Sequence, residues 1–176
     1  MKSLKKYIAG GIILPVTLLL SSDYEILKEK IDETIYALNT RNCEVVSENS
    51  NVLMKIVFAS NVIRENFYKK YIEGKNFTQE ECDEMMETLD EYTCEYLKTV
   101  LQSKILDYEI IDIKKGIPEK TEEHLKKYHK ELCLPPIEDS VTVKMNVKYE
   151  YNGTVYEREL EWYPIKVNGE WIPLGM

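Results

Sequence analysis

Between Asp23 and Leu38 the large aliphatic residues Leu27, Ile31, Ile35 and Leu38 recur at steps of three and four, which predicts a helix buried along one face and ended by Arg41-Asn42. From Asn51 to Ile72 the apolar positions crowd every side (Val52, Leu53, Ile56, Val57, Phe58, Val62, Ile63, Phe67, Tyr71), the pattern of a core helix. Thr78 followed by Glu81 makes a capping box, with Phe77 and Cys82 at the hydrophobic-staple positions, so a further helix is predicted to start at Gln79. Its apolar stripe runs Cys82, Met85, Leu89, Tyr92, Tyr96, Val100. The acids between them, Glu80, Asp83, Glu84, Glu87, Asp90, Glu91 and Glu95, read as a solvated face.

The second half changes period. Ile105 to Ile113 is short and rich in β-branched and aromatic residues, a strand stopped by Lys114-Lys115-Gly116. Pro118 to Leu132 has helix-forming composition with weak periodicity, closed by Pro135-Pro136. Val141, Val143, Met145, Val147, Tyr149 and Tyr151 then alternate strictly with polar residues, the pattern of a half-buried antiparallel strand. Asn152-Gly153 is a type I′ hairpin signal that pairs Tyr149 with Tyr156, Met145 with Leu160 and Val143 with Trp162 on one face. A second Asn-Gly at 168–169 turns the chain into Glu170 to Leu174, and the apolar phase shifts at Tyr163-Pro164, where a bulge or bend is predicted. Helices first and strands last predict an α+β fold, with N-terminal helices packed on a curved antiparallel sheet formed mostly by the C-terminal meander.

The first 22 residues stand apart. Lys2, Lys5 and Lys6 precede the uncharged run Ile8 to Leu20 and then Ser21-Ser22, the order of a secretory signal. The run is shorter than the roughly 20 apolar residues a membrane span needs, and Gly10, Gly11 and Pro15 interrupt it, which favours cleavage. Leu20 is large for a cleavage site, so an N-terminal anchor over residues 7–22 is the alternative. The expectation is a secreted or extracytoplasmic domain over residues 23–176 that meets a membrane only through its N-terminal segment. The chain has 23 Lys+Arg against 31 Asp+Glu, and three of the lysines lie in the leader, so the remainder holds 20 against 31 and a net charge of −11. Such a surface repels phosphate backbones, and nucleic acid is not an expected partner.

Export gives the four cysteines, Cys43, Cys82, Cys94 and Cys133, the chance to pair. Cys82 and Cys94 on one helix would stand roughly 18 Å apart, which excludes that bond. Other pairings remain open, as do four buried thiols. His129 and Cys133 have i, i+4 spacing, but a third ligand is missing, and no C-x-x-C, H-E-x-x-H or EF-hand pattern occurs; neither metal nor cofactor is expected, and His124 and His129 read as a solvated helix face. No G-x-S-x-G, P-loop or G-x-G-x-x-G is present. Asn76-Phe77-Thr78 and Asn152-Gly153-Thr154 match a glycosylation acceptor but serve equally as a cap and a turn.

The ending Lys166-Val167-Asn168-Gly169-Glu170-Trp171-Ile172 resembles the last hairpin of nuclear transport factor 2-like (cystatin-like) domains, including those of many exported proteins of Gram-positive bacteria with no assigned activity. Enzymes of that superfamily use acids and tyrosines inside a cone-shaped pocket, so the resemblance makes Asp107 and Asp112 candidate carboxylates. The sharpest candidate for a ligand surface is Tyr149, Tyr151, Tyr156 and Trp162, which fall on one sheet face, although aromatics so placed also serve as core. The expected function is therefore a non-catalytic domain binding a protein or small ligand at the cell envelope. The alternatives are a small-molecule enzyme of the cone type and a membrane-tethered accessory subunit.

Overall fold

The structure, a computed structural model, describes residues 21–59, 77–99 and 101–175. Helix α1, Ser21–Thr40, starts inside the stretch assigned to the leader and buries the expected stripe: Leu27 and Ile31 completely, Ile35 and Leu38 nearly so. Thr34 and Ala37 share that face, and the Thr34 hydroxyl donates to the Lys30 carbonyl at 2.7 Å, so a fully buried polar group stays paired. Arg41, at φ 59°, ends the helix in a left-handed conformation.

A helix the apolar pattern does not announce follows. Helix α2, Cys43–Glu48, has only six residues, too few for a period to show; its local signal is the N-cap Asn42, which accepts from the Val45 N–H. Helix α3, Val52–Phe58, begins as expected, with Asn51 capping the Met54 N–H at 3.1 Å. It does not continue to Ile72, because Ala59 is extended (φ −65°, ψ 152°). Ser60-Asn61 come next, residue types that compete for backbone bonds outside helices. The remainder of the expected core helix, 60–72, lies outside the described residues.

Helix α4, Gln79–Thr99, opens on the capping box: the Thr78 N–H donates to Glu81 at 3.0 Å, and the Glu81 N–H donates to the Thr78 hydroxyl at 3.2 Å. Its buried seam passes through Cys82, Leu89, Thr93 and Leu97, with Met85, Tyr92 and Tyr96 half-buried beside it. Spacing of apolar residues alone misses Thr93, which faces the core because its hydroxyl donates to the Leu89 carbonyl at 2.9 Å. Helix α5, Glu119–Glu131, follows Pro118 and buries Leu125 and Tyr128.

The other layer is a five-stranded antiparallel sheet curled into a half-barrel: β1 Lys104–Lys115, β2 Asp139–Tyr151, β3 Thr154–Trp162, β4 Ile165–Val167 and β5 Glu170–Ile172. The fold is α+β. Strand β2 pairs along one edge with β1 and along the other with β3 and then β4, which carries β5. The hairpin register is the one its turn dictates, with Tyr149 opposite Tyr156, Met145 opposite Leu160 and Val143 opposite Trp162. Asn152 and Gly153 both have positive φ, 50° and 74°, as type I′ requires, and Asn168 and Gly169 repeat this between β4 and β5. The chain breaks at Tyr163-Pro164, where β3 ends and β4 begins.

Strand β1 does not alternate. Register shifts between Ile105 and Asp107 and between Ile110 and Asp112 leave Leu106 and Ile111 as extra, exposed residues. The two bulges bring Ile105, Tyr108, Ile110 and Ile113 onto one face, packed against the core. That core joins α1 to the inner face of the sheet through Val141, Val143, Met145, Val147 and Trp162, each such burial contributing roughly 1.5–3 kcal/mol. A second cluster joins α3, α4 and α5 to Ile165 and Val167 of β4.

Candidate binding face

The helical layer covers only part of β2. Val141 to Val147 face inward beneath it and are buried, but β2 and β3 run on to the Asn152-Gly153 turn, and there the inward positions are Tyr149, Tyr151 and Tyr156. Tyr151 and Tyr156 are 43% and 44% exposed, while Tyr149 is half-buried. Tyr149 and Tyr156 stack, centroids 5.5 Å apart at 22°, as directly opposite residues on a twisted hairpin can. The Arg158 guanidinium lies 5.6 Å from the Tyr149 centroid and makes no ion pair among the described residues. Trp162, the fourth aromatic of the predicted set, does not reach this open end: it is 6% exposed and packs in the core.

Where the sheet passes under α1, the Tyr108 hydroxyl donates to Asp32 at 2.5 Å. Burial first, and the carboxylate second, push the Tyr108 phenol well above its ordinary value, so it stays protonated and holds the strand to the helix. Two turns of α1 further on, the Asn39 amide accepts from the Ile105 N–H at 2.8 Å and donates to the Ile105 carbonyl at 2.7 Å, taking both backbone groups of one residue on an edge strand. Neither Tyr108 nor Arg158 is apparent as a site residue in the sequence. Arg158 could have been found from the hairpin register, which sets it diagonal to Tyr149; Tyr108 could not, because the bulge that turns it inward breaks the alternation.

Asp107 and Asp112 fall on the other face of the sheet. Asp107 sits opposite Lys148 and Asp112 opposite Lys144, and the Asp112 carboxylate pairs with Lys114 at 3.2 Å. The rest of that face is a charged ladder, with Lys144 to Glu159 at 2.7 Å and Lys148 to Glu157 at 3.5 Å. Neither aspartate shares a face with the inward tyrosines, so together they do not compose the acid-and-tyrosine cone.

The histidines separate. His124 is exposed, but His129 is 5% exposed, not on a solvated face, with Nδ1 2.6 Å from the Pro135 carbonyl. The turn after α5, where Cys133 is left-handed at φ 54°, folds Pro135 back over the ring. Burial lowers the His129 pKa, which favours the neutral ring. The ring borders a cavity of about 550 Å³ with Lys55 and Trp171. Cys133 is no partner to it as a ligand, being bonded to Cys82; the other disulfide joins Cys43 to Cys94. Among the described residues no three His, Cys, Asp or Glu side chains are grouped to hold a metal ion. Two disulfides fit an oxidising compartment, and no described helix is long and apolar enough to cross a membrane.

No protein-family model and no curated protein sequence matches this chain.

Proposed function

We propose that this chain is an exported, non-catalytic domain that binds a protein at the cell envelope through the open aromatic end of its inner sheet face. The observation that carries this is the overhang of the β2–β3 hairpin, which leaves Tyr151 and Tyr156 about half in solvent beside a stacked Tyr149 and an Arg158 that lies over its ring and makes no ion pair among the described residues. Tyr and Arg are the residue types that dominate interface energetics, since they present large, stiff, amphipathic surfaces. An open face favours a protein over a small molecule, because a small ligand needs walls that bury most of its surface. The resemblance of Lys166 to Ile172 to exported nuclear transport factor 2-like domains, the basic-apolar-small order of residues 1–22 and the two disulfides support an extracytoplasmic site of action.

A photo-crosslinking residue in place of Tyr156, in the protein exported by its own cell, tests this against the same residue in place of Glu123 on α5. The expected result is a discrete crosslinked product from position 156 alone, lost when Tyr151→Ala is added. Stability should change by about 1 kcal/mol or less in Tyr151→Ala, since the side chain is outside the core. Crosslinking no different from that at position 123 would overturn the proposal, and unfolding of Tyr151→Ala would show these tyrosines to be structural.

A further inference from the structure

A groove of about 930 Å³ runs between α2 and α4 on the helical side of the molecule. Its floor includes Met86 and the Cys43–Cys94 disulfide, half-buried apolar groups. Its walls are acidic. Asp83, Glu87, Glu91 and Glu95 repeat every fourth residue along α4, one carboxylate for each turn, in a row that spans roughly 18 Å at 1.5 Å per residue. Glu44 and Glu48, again four apart, face them from α2.

These six side chains are exposed, and no cation among the described residues forms an ion pair with any of them. Two lysines line the groove. Lys55 is buried and committed to Asp90 at 2.5 Å, an oxygen that also accepts from Ser47, and Lys98 lies toward the end of α4. Among the described residues the carboxylates have little compensating charge beyond the attraction of Lys30 to Glu48, while the floor between them is apolar.

We infer that this groove docks a basic, amphipathic segment of another polypeptide, its apolar side chains on Met86 and the disulfide and its Lys or Arg side chains on the two rows of carboxylates. Charge complementarity selects the occupant, since an anionic or nucleic-acid partner would meet two like-charged walls. The length of the row matches about three turns of helix, so one side chain is too short to satisfy it. The groove lies on the helices rather than on the hairpin, and this inference does not depend on the aromatic face.

The test uses a synthetic helix of about 16 residues with Leu on one face and Lys on the other, and a scrambled peptide of the same composition, at about 0.15 M salt. Binding is measured to the natural chain, to Glu87→Lys/Glu91→Lys in the groove, and to Glu119→Lys/Glu123→Lys on α5, which makes the same change of net charge elsewhere. The expected result is a loss of affinity of about tenfold or more in the groove variant, less than about twofold in the α5 variant, and weaker binding of the scrambled peptide by about tenfold. Met86→Ser should weaken binding several-fold, and Tyr151→Ala/Tyr156→Ala should leave it unchanged. Equal losses in the two charge variants would reduce the effect to net charge and overturn the inference. So would displacement of the peptide by spermine at matching concentration, which would make this a polyamine site, or a loss in the tyrosine variant.

Discussion

His129 is the residue whose behaviour differs most from its surroundings in sequence. Six of the eight residues from Glu122 to His129 are charged or histidine, which reads as solvated, yet the ring is buried and bonded through Nδ1 to Pro135. Its pKa is lowered from the ordinary 6.5, chiefly by burial and partly offset by that bond. The sign follows directly. The unfolded chain takes up a proton as pH falls through 6.5 while the folded chain resists, so stability is intact above that value and erodes from there down to the folded pKa. Urea unfolding between pH 7.5 and 5 should show His129→Gln losing less stability than the natural chain over the same interval, since glutamine can donate to the Pro135 carbonyl without titrating. Parallel losses would mean that the ring takes up its proton in the fold as readily as in the unfolded chain. Gly175 gives a steric counterpart: a Cβ there would stand 2.1 Å from Asn51 Nδ2 and 2.8 Å from the Tyr163 carbonyl oxygen. The Tyr163 N–H donates to the Gly175 carbonyl, so backbone has to move, and Gly175→Ala should lower stability by about 1–3 kcal/mol in thermal unfolding.

Helix α4 is held at two points of its length, by Cys82 to Cys133 beyond α5 and by Cys94 to Cys43 at the start of α2. Both bonds close a separation of 51 residues, so chain entropy assigns each the same stabilisation, about 4 kcal/mol. Packing does not separate them, since Cys82 is buried but Cys133 exposed while Cys43 and Cys94 are both half-buried, so Cys82→Ala/Cys133→Ala and Cys43→Ala/Cys94→Ala should cost the same to within about 1 kcal/mol, measured by urea unfolding. A larger difference would show that local packing outweighs loop closure. Exclusion of a Cys82–Cys94 bond was legible from helix rise alone; the choice between the remaining pairings was not, because it depends on how α2 and α5 pack on α4. The β2–β3 hairpin was legible to the residue, since turn chemistry and alternation fix one register independently. Strand β1 was legible only as a strand, because Ile105 to Ile113 alternates solely after two bulges remove Leu106 and Ile111. Helix α2 was hidden by its length, and the early end of α3 by an apolar run that continues past it. For the candidate face, the sequence assigns Tyr149, Tyr151, Tyr156 and Trp162 to one side, but which of them are open depends on how far the helical layer reaches along β2.

At the scale of the whole molecule, the two disulfides bear on the compartment in which the chain folds. A domain of this size can fold on its own apolar burial, but here two cross-links at one helix add stabilisation that only an oxidising compartment would preserve. In a reducing cytosol the same chain would carry four thiols. Residues 1–20 lie outside the described structure, and their Lys-rich start and apolar run follow the order of a secretory signal, on which the proposed export rests. Fusing residues 1–30 to a reporter active only outside the cytoplasm should therefore give activity, abolished by Ile13→Asp/Leu19→Asp in the apolar run. The exported chain should show no free thiol on titration under denaturing conditions, and the chain from Asp23 made in a reducing cytosol should show four and unfold at lower temperature. A silent reporter would remove the case for export, and an exported chain with four free thiols would sever the link between compartment and cross-links on which the stability of α4 is argued to rest.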